Sequence, residues 1–184
     1  MKLQTRFWNL LVIFALAASA LALPAHSASA NNTAQTLPFS QNWTDIGLIT
    51  VSDDWSVVPG IMGYRGDDLT TTTGTDPQTI LTESTVVDVN ANQTDPNTYT
   101  TGGLTEFHLT DPVVALAGSG TADAPYMQIA FTTTGLETIQ VNYNLRDLES
   151  GPDNAVQQVA LQYRIGSTGL FTNIPAGYIA DATI

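Results

Sequence analysis

The stretch Glu137–Gly166, ETIQVNYNLRDLESGPDNAVQQVALQYRIG, decides how this chain is read. Ahead of its acidic centre, Ile139, Val141, Tyr143 and Leu145 alternate with Gln140, Asn142, Asn144 and Arg146. Behind it, Val159, Leu161, Tyr163 and Ile165 alternate with Ala160, Gln162 and Arg164. A period of two places each apolar set on one face of an extended strand. A hairpin pairing 145 with 159, 143 with 161 and 141 with 163 gathers both apolar sets on one face, as a register set by burial requires. Gly151-Pro152-Asp153-Asn154 then supplies the reversal. On this reading Asp147, Glu149 and Asp153 are turn residues. The rival is a calcium loop, since they stand in D-x-E-x-G-x-D order. An EF-hand loop needs glycine at its sixth position and glutamate at its twelfth, where this chain has Pro152 and Gln158.

Working outward, the same alternation and punctuation recur. YMQIAF, TEFHL, VVALAG, STVVDV and the segment Trp55–Val58 are short and rich in branched or aromatic residues, as pleated strands are. Between them stand Asp76-Pro77, Asp95-Pro96, Asp111-Pro112, Gly102-Gly103 and SGTADAP, which are turn signals at unequal intervals rather than a repeat. No segment after the first thirty residues shows helical spacing. Many short strands joined by polar turns predict an all-β fold, a jelly-roll-like antiparallel β-sandwich.

The first thirty residues read as an address. Lys2 and Arg6 precede the apolar run FWNLLVIFALAASALAL, and Ala28-Ser29-Ala30 offers small residues for a signal peptidase. The expected organisation is a signal peptide over 1–30 and one β-sandwich module over 31–184, secreted or displayed at the cell surface. Cleavage removes two of the five cations and takes the formal net charge from −12 to −14, leaving Arg65, Arg146 and Arg164. Such a surface repels nucleic-acid backbones and anionic membranes, so neither is an expected partner once the leader is gone. With no cysteine, the module has neither disulfides nor thiolate zinc sites.

Candidate sites are few. Asp53-Asp54 and Asp67-Asp68 are oxygen-rich pairs suited to a structural calcium, which needs six or more oxygens and so help from other loops. The plain alternative is two polar turns. Arg65-Gly66-Asp67 spells an adhesion tripeptide, a short match that reads equally as a turn. His108, the one histidine outside the leader, is expected on the polar face of its strand, and no nucleophile motif accompanies it. Trp43, Trp55, Tyr64, Tyr99, Tyr126 and Tyr178 could stack on sugars or pack the core. The amide and guanidinium face of the hairpin, Asn142, Asn144, Arg146, Gln158, Gln162 and Arg164, suits hydroxyl-rich ligands such as glycans, or is a solvated face.

LPFSQNWTDIGLITVSDDWSVVPGIMGYRGDDL together with DNAVQQVALQYRIG and FTNIPAGYIADAT resembles an N-terminal module of large secreted bacterial proteins. In that family the module stands ahead of endonuclease/exonuclease/phosphatase-type nuclease domains or lamin-tail domains. The resemblance implies a non-catalytic module with downstream domains of the same polypeptide as partners. The alternative it implies is the front of a secreted nuclease or phosphoesterase whose catalytic domain lies further on. It also implies further strands beyond Ile184, so the sandwich is expected to be C-terminally incomplete.

The address has a direct test. N-terminal sequencing of protein recovered from the medium is expected to begin at Asn31, and an intact Met1 there would refute the leader reading.

Overall fold

The computed structural model describes residues 30–148 and 155–183. The leader and the turn expected at 151–154 lie outside the described residues. Nine strands appear among the described residues, in chain order: β1 (Gln35–Thr36), β2 (Ile61–Tyr64), β3 (Asn90–Gln93), β4 (Gly103–Phe107), β5 (Val113–Ala117), β6 (Tyr126–Ile129), β7 (Phe131–Thr132), β8 (Gln162–Tyr163) and β9 (Thr172–Asn173). The only helical elements among the described residues are 3₁₀ turns at Pro77–Thr79 and Pro175–Gly177. None is long and apolar enough to cross a membrane. The fold is all-β, divided among several small sheets.

The best-formed sheet is β3–β4–β5, with β3 parallel and β5 antiparallel to the central β4. All five residues of β4 are buried, so both of its faces are covered. That departs from the half-solvated strand expected of TEFHL, and it takes Thr105 and Glu106 inside with Leu104 and Phe107. β2 and β6 pair antiparallel from Ile61–Ile129 to Tyr64–Tyr126, and β1 and β7 pair parallel.

One core organises these sheets: Ile49, Trp55, Val58, Ile61, Val89, Ala91, Leu104 and Val114. Trp55 and Val58 reach it from a turn, not the expected strand, because the Val58 N–H donates to the Trp55 carbonyl at 3.0 Å. The Trp55 ring lies against Gly63, where a Cβ would stand 2.4 Å from the indole and 2.5 Å from Leu104. Glycine there is a condition of close packing. STVVDV contributes only an isolated bridge, Val87 to Tyr64, before its last residues enter the core.

The register expected for the central hairpin is not the one observed. Tyr163 pairs with Thr172, Gln162 with Asn173, and Val159 with Ile179, so 155–163 uses the 172–183 segment as its partner. Residues 139–145 enter no ladder among the described residues. The physical reason is that burial fixes register only where a face is buried. Ile139, Val141, Tyr143 and Leu145 remain 39%, 46%, 43% and 45% exposed. No residue of the core cluster comes from beyond Val114.

This asymmetry sets the cost of mutation. Leu104→Ala is expected to cost about 2–5 kcal/mol, as truncation of a fully buried leucine does. Leu145→Ala, on a half-exposed side chain, should cost less than about 1 kcal/mol. Denaturant unfolding of the two variants measures the contrast.

Candidate functional site

The four aspartates named as a calcium candidate are each engaged with the chain. Asp53, at φ 63°, forms a reciprocal clasp: its N–H donates to the Val89 carbonyl at 2.9 Å, and its carboxylate accepts from the Val89 N–H at 3.2 Å. Asp54 accepts from the Ser56 N–H at 2.9 Å. Asp67 takes a two-point bond from Arg65, at 2.7 and 2.5 Å, and the Asp68 N–H donates to Asp123. Among the described residues no three acidic or histidine side chains gather as a metal group. The Arg65 bonds hold the Asp67 carboxyl below the usual carboxylate range and raise the Arg65 guanidinium. Arg65 and Asp67 therefore satisfy each other inside the adhesion tripeptide instead of facing outward as a separated pair.

Asp88 was invisible as a site residue in the sequence. Its carboxylate, buried, accepts from the Leu104 N–H at 2.6 Å, and its carbonyl accepts from the Trp55 indole at 3.0 Å. Gly103, at φ 106°, keeps the approach open, since a Cβ would lie 2.1 Å from the carboxylate. Burial raises the Asp88 carboxyl above the ordinary aspartate range, with the neighbouring Asp53 pushing the same way, while the Leu104 N–H and Arg65 pull it down. Glu106 is the second buried carboxylate. One oxygen accepts from the Asn92 N–H at 2.8 Å, and the other lies 2.6 Å from His108 Nε2 in a contact poorly aligned for a hydrogen bond. His108 is thus held to an internal acid, where the sequence suggested an outward polar face.

The hairpin face is divided by the fold. Asn142 and Asn144 are exposed. Arg146 pairs with Asp111 at 3.1 Å and also donates to its carbonyl. Gln158 accepts from the Tyr178 hydroxyl at 3.1 Å. Gln162 turns inward, its amide contacting the carbonyls of Pro77 and Ile80 and the Asn173 side chain. Arg164 is also inward, its side chain 6% exposed, paired with Glu83 at 2.9 Å and lying over the Phe171 ring. These two residues tie β8–β9 to the 77–83 loop, a role that alternation alone cannot distinguish from a ligand face.

The aromatics do not form one platform. Trp43 meets Trp55 edge-on, Tyr99 meets Phe107 edge-on, and Tyr64 stacks on Tyr126 with centroids 4.9 Å apart. Both tyrosines of the stack are raised above the usual phenol range, chiefly by burial. One open concavity lies elsewhere: a groove of ≈ 240 Å³ lined by Ile139, Val141, Tyr143, Leu161, Ile174 and the Ala176–Gly177 turn. The Tyr143 hydroxyl spans it to the Gly177 carbonyl at 3.1 Å. Among the described residues its lining side chains are aliphatic apart from the Tyr143 phenol.

Asp88 yields a pH prediction. A carboxyl whose folded pKa is raised contributes stability at low pH that is lost as pH rises through that folded value. Asp88→Asn keeps an oxygen for the Leu104 N–H and removes the buried charge. The melting temperature of D88N relative to the unsubstituted protein is therefore expected to rise between pH 3 and pH 7. A difference independent of pH would contradict the buried-charge account.

No family model, curated protein or solved structure matches this chain.

Proposed function

We propose that residues 31–184 form a non-catalytic extracellular module, a jelly-roll-like β-sandwich in plan, that stands at the front of a larger secreted protein and docks further chain of the same polypeptide. The observation that carries this reading is the unequal burial of the two halves. The buried core cluster is drawn from residues 49–114, with Met127 packed against it, although Val51 and Val57 within that span are 37% and 58% exposed. Beyond them, Leu136, Ile139, Val141, Tyr143, Leu145, Val156, Tyr163, Ile165 and Leu170 each leave 39–89% of their surface open. Apolar residues at strand spacing that remain this exposed mark an interface or an uncovered sheet face rather than solvent-facing surface. Their burial would contribute about 25 cal/mol per Å². The groove lining supports docking, because the side chains that line it are aliphatic or phenolic.

Residues 31–184 are expected to bind a hydrophobic dye such as ANS and to melt several degrees below the same residues within a longer polypeptide from the same gene. They should turn over neither phosphodiester nor glycoside substrates. Equal melting temperatures with no dye binding, or turnover that survives purification, would overturn the reading.

A further inference from the structure

Three Asn-x-Thr sequences follow the leader, Asn31-Asn32-Thr33, Asn42-Trp43-Thr44 and Asn92-Gln93-Thr94, and the fold treats them differently. In each, the asparagine Nδ2 is the atom that an N-linked glycan takes. The Asn31 Nδ2 donates to the Ser56 carbonyl at 3.1 Å. The Asn92 Nδ2 donates to the Thr50 carbonyl at 2.8 Å, and Asn92 is held within β3 at φ 59°, its N–H on the Glu106 carboxylate. Asn42 is exposed, and its Nδ2 makes no hydrogen bond to any described residue. Its Oδ1 is taken by Thr44, which donates from its N–H at 3.2 Å and from its hydroxyl at 2.9 Å. Among the described residues neither Thr33 nor Thr94 reaches its asparagine through the hydroxyl.

The segment around Asn42 accounts for the difference. It lies between β1 and β2, outside any strand, so no ladder has to open for residues 42–44 to enter an enzyme's cleft. The Gln41 side chain accepts from the Asn42 and Trp43 N–H groups at 2.9 and 3.0 Å, which holds the turn with local groups. Trp43, at φ 61°, packs its ring edge-on to Trp55, while Asn42 and Thr44 on either side of it stay exposed. A hydroxyl on Oδ1 polarises the amide and eases loss of an Nδ2 proton. Resting on the module reading above, which sends the chain out of the cell, we propose that Asn42 is the N-glycan acceptor of the folded module and that Asn31 and Asn92 are not. The donor is an oligosaccharide on a lipid pyrophosphate, brought by a membrane-bound oligosaccharyltransferase. The Asn42 Nδ2 bonds to the sugar C1, and the bond from C1 to the pyrophosphate oxygen breaks. The lipid pyrophosphate leaves with that electron pair, and one Nδ2 proton passes to a base of the transferase. At Asn42 the sugar meets no hydrogen bond made by Nδ2 among the described residues, whereas at Asn92 it crowds the Thr50 contact.

The test incubates folded residues 31–184 with a solubilised oligosaccharyltransferase that accepts Asn-x-Thr and with a lipid-linked oligosaccharide. The free peptides FSQNWTDI and VNANQTDP, the two sequences taken out of the fold, run beside it. Enzymatic release of the glycan in heavy-oxygen water converts each used asparagine to a heavy aspartate, which mass spectrometry locates. The label is expected on both peptides and, in the folded protein, on Asn42 but not on Asn31 or Asn92. Asn42→Gln should abolish it, Thr44→Ala should lower it at least about tenfold and Thr44→Ser should keep most of it. Asn31→Gln and Asn92→Gln should leave it unchanged, with tryptophan fluorescence showing that each variant keeps its core. Absence of label on Asn42 of the folded protein would overturn the proposal, and so would labelling of Asn31 or Asn92 to the same extent. Failure of VNANQTDP to accept the glycan would place the exclusion of Asn92 in its sequence and overturn the role given to the fold. None of these outcomes bears on dye binding, melting shift or turnover, which test the module reading separately.

Discussion

The structure depends on how residues Asp88 and Val89 are held. Five hydrogen bonds converge on these two residues: Asp88 N–H to Gly63, the Trp55 indole to the Asp88 carbonyl, Leu104 N–H to the Asp88 carboxylate, and the reciprocal pair between Asp53 and Val89. They join the 53–55 turn, β2 and the start of β4 through one short segment. Buried backbone groups need partners, and here turn and side-chain groups supply them where no ladder passes. The largest buried ring, Trp55, is positioned by one of these bonds and packs on Gly63 and Leu104. Without that anchor the core would have no reason to exclude every side chain larger than glycine at residue 63.

Alternation located several of the strands, though not always which face they bury. YMQIAF became β6 and β7, VVALAG became β5, and TEFHL lies in β4 and just beyond its end. It misled in two ways. In β4 the polar positions are buried as well, Glu106 accepting from the Asn92 N–H fourteen residues away. In 139–145 the pattern is present but the pairing is not, because nothing among the described residues covers its apolar face. Composition and periodicity carry local information, whereas a contact such as Asp88 to Leu104, sixteen residues apart, belongs to the assembled fold. The aspartate doublets, named as calcium candidates with polar turns as the alternative, lie in turns, whereas nothing in the sequence marked the carboxylate of Asp88 that organises the core.

The electrostatic picture is lopsided by design of composition. Seventeen acids face five cations in the whole sequence, and each arginine among the described residues is spent on an internal tie. Two of these ties, Arg146 to Asp111 and Arg164 to Glu83, connect the C-terminal segments to earlier loops. The net charge is consequently strongly negative.

The attachment of β8–β9 has a consequence for how the molecule comes apart. These strands are joined to the rest by a small set of contacts: the Gln162 amide on the Pro77 and Ile80 carbonyls, Asn173 on Gln78, Phe171 N–H on Leu81, and Arg164 on Glu83. Residues 126–132, by contrast, are clipped to the core by the β2–β6 and β1–β7 ladders. Cooperative units divide where few buried contacts cross, so the stretch after Thr132 can detach as a subglobal opening while the Trp55 core stays shut. Amide protons of β4 would then exchange only through global unfolding, and those of β8–β9 through the cheaper partial one. A protease would meet the chain first near Thr133–Glu137 and leave behind a fragment that keeps its core.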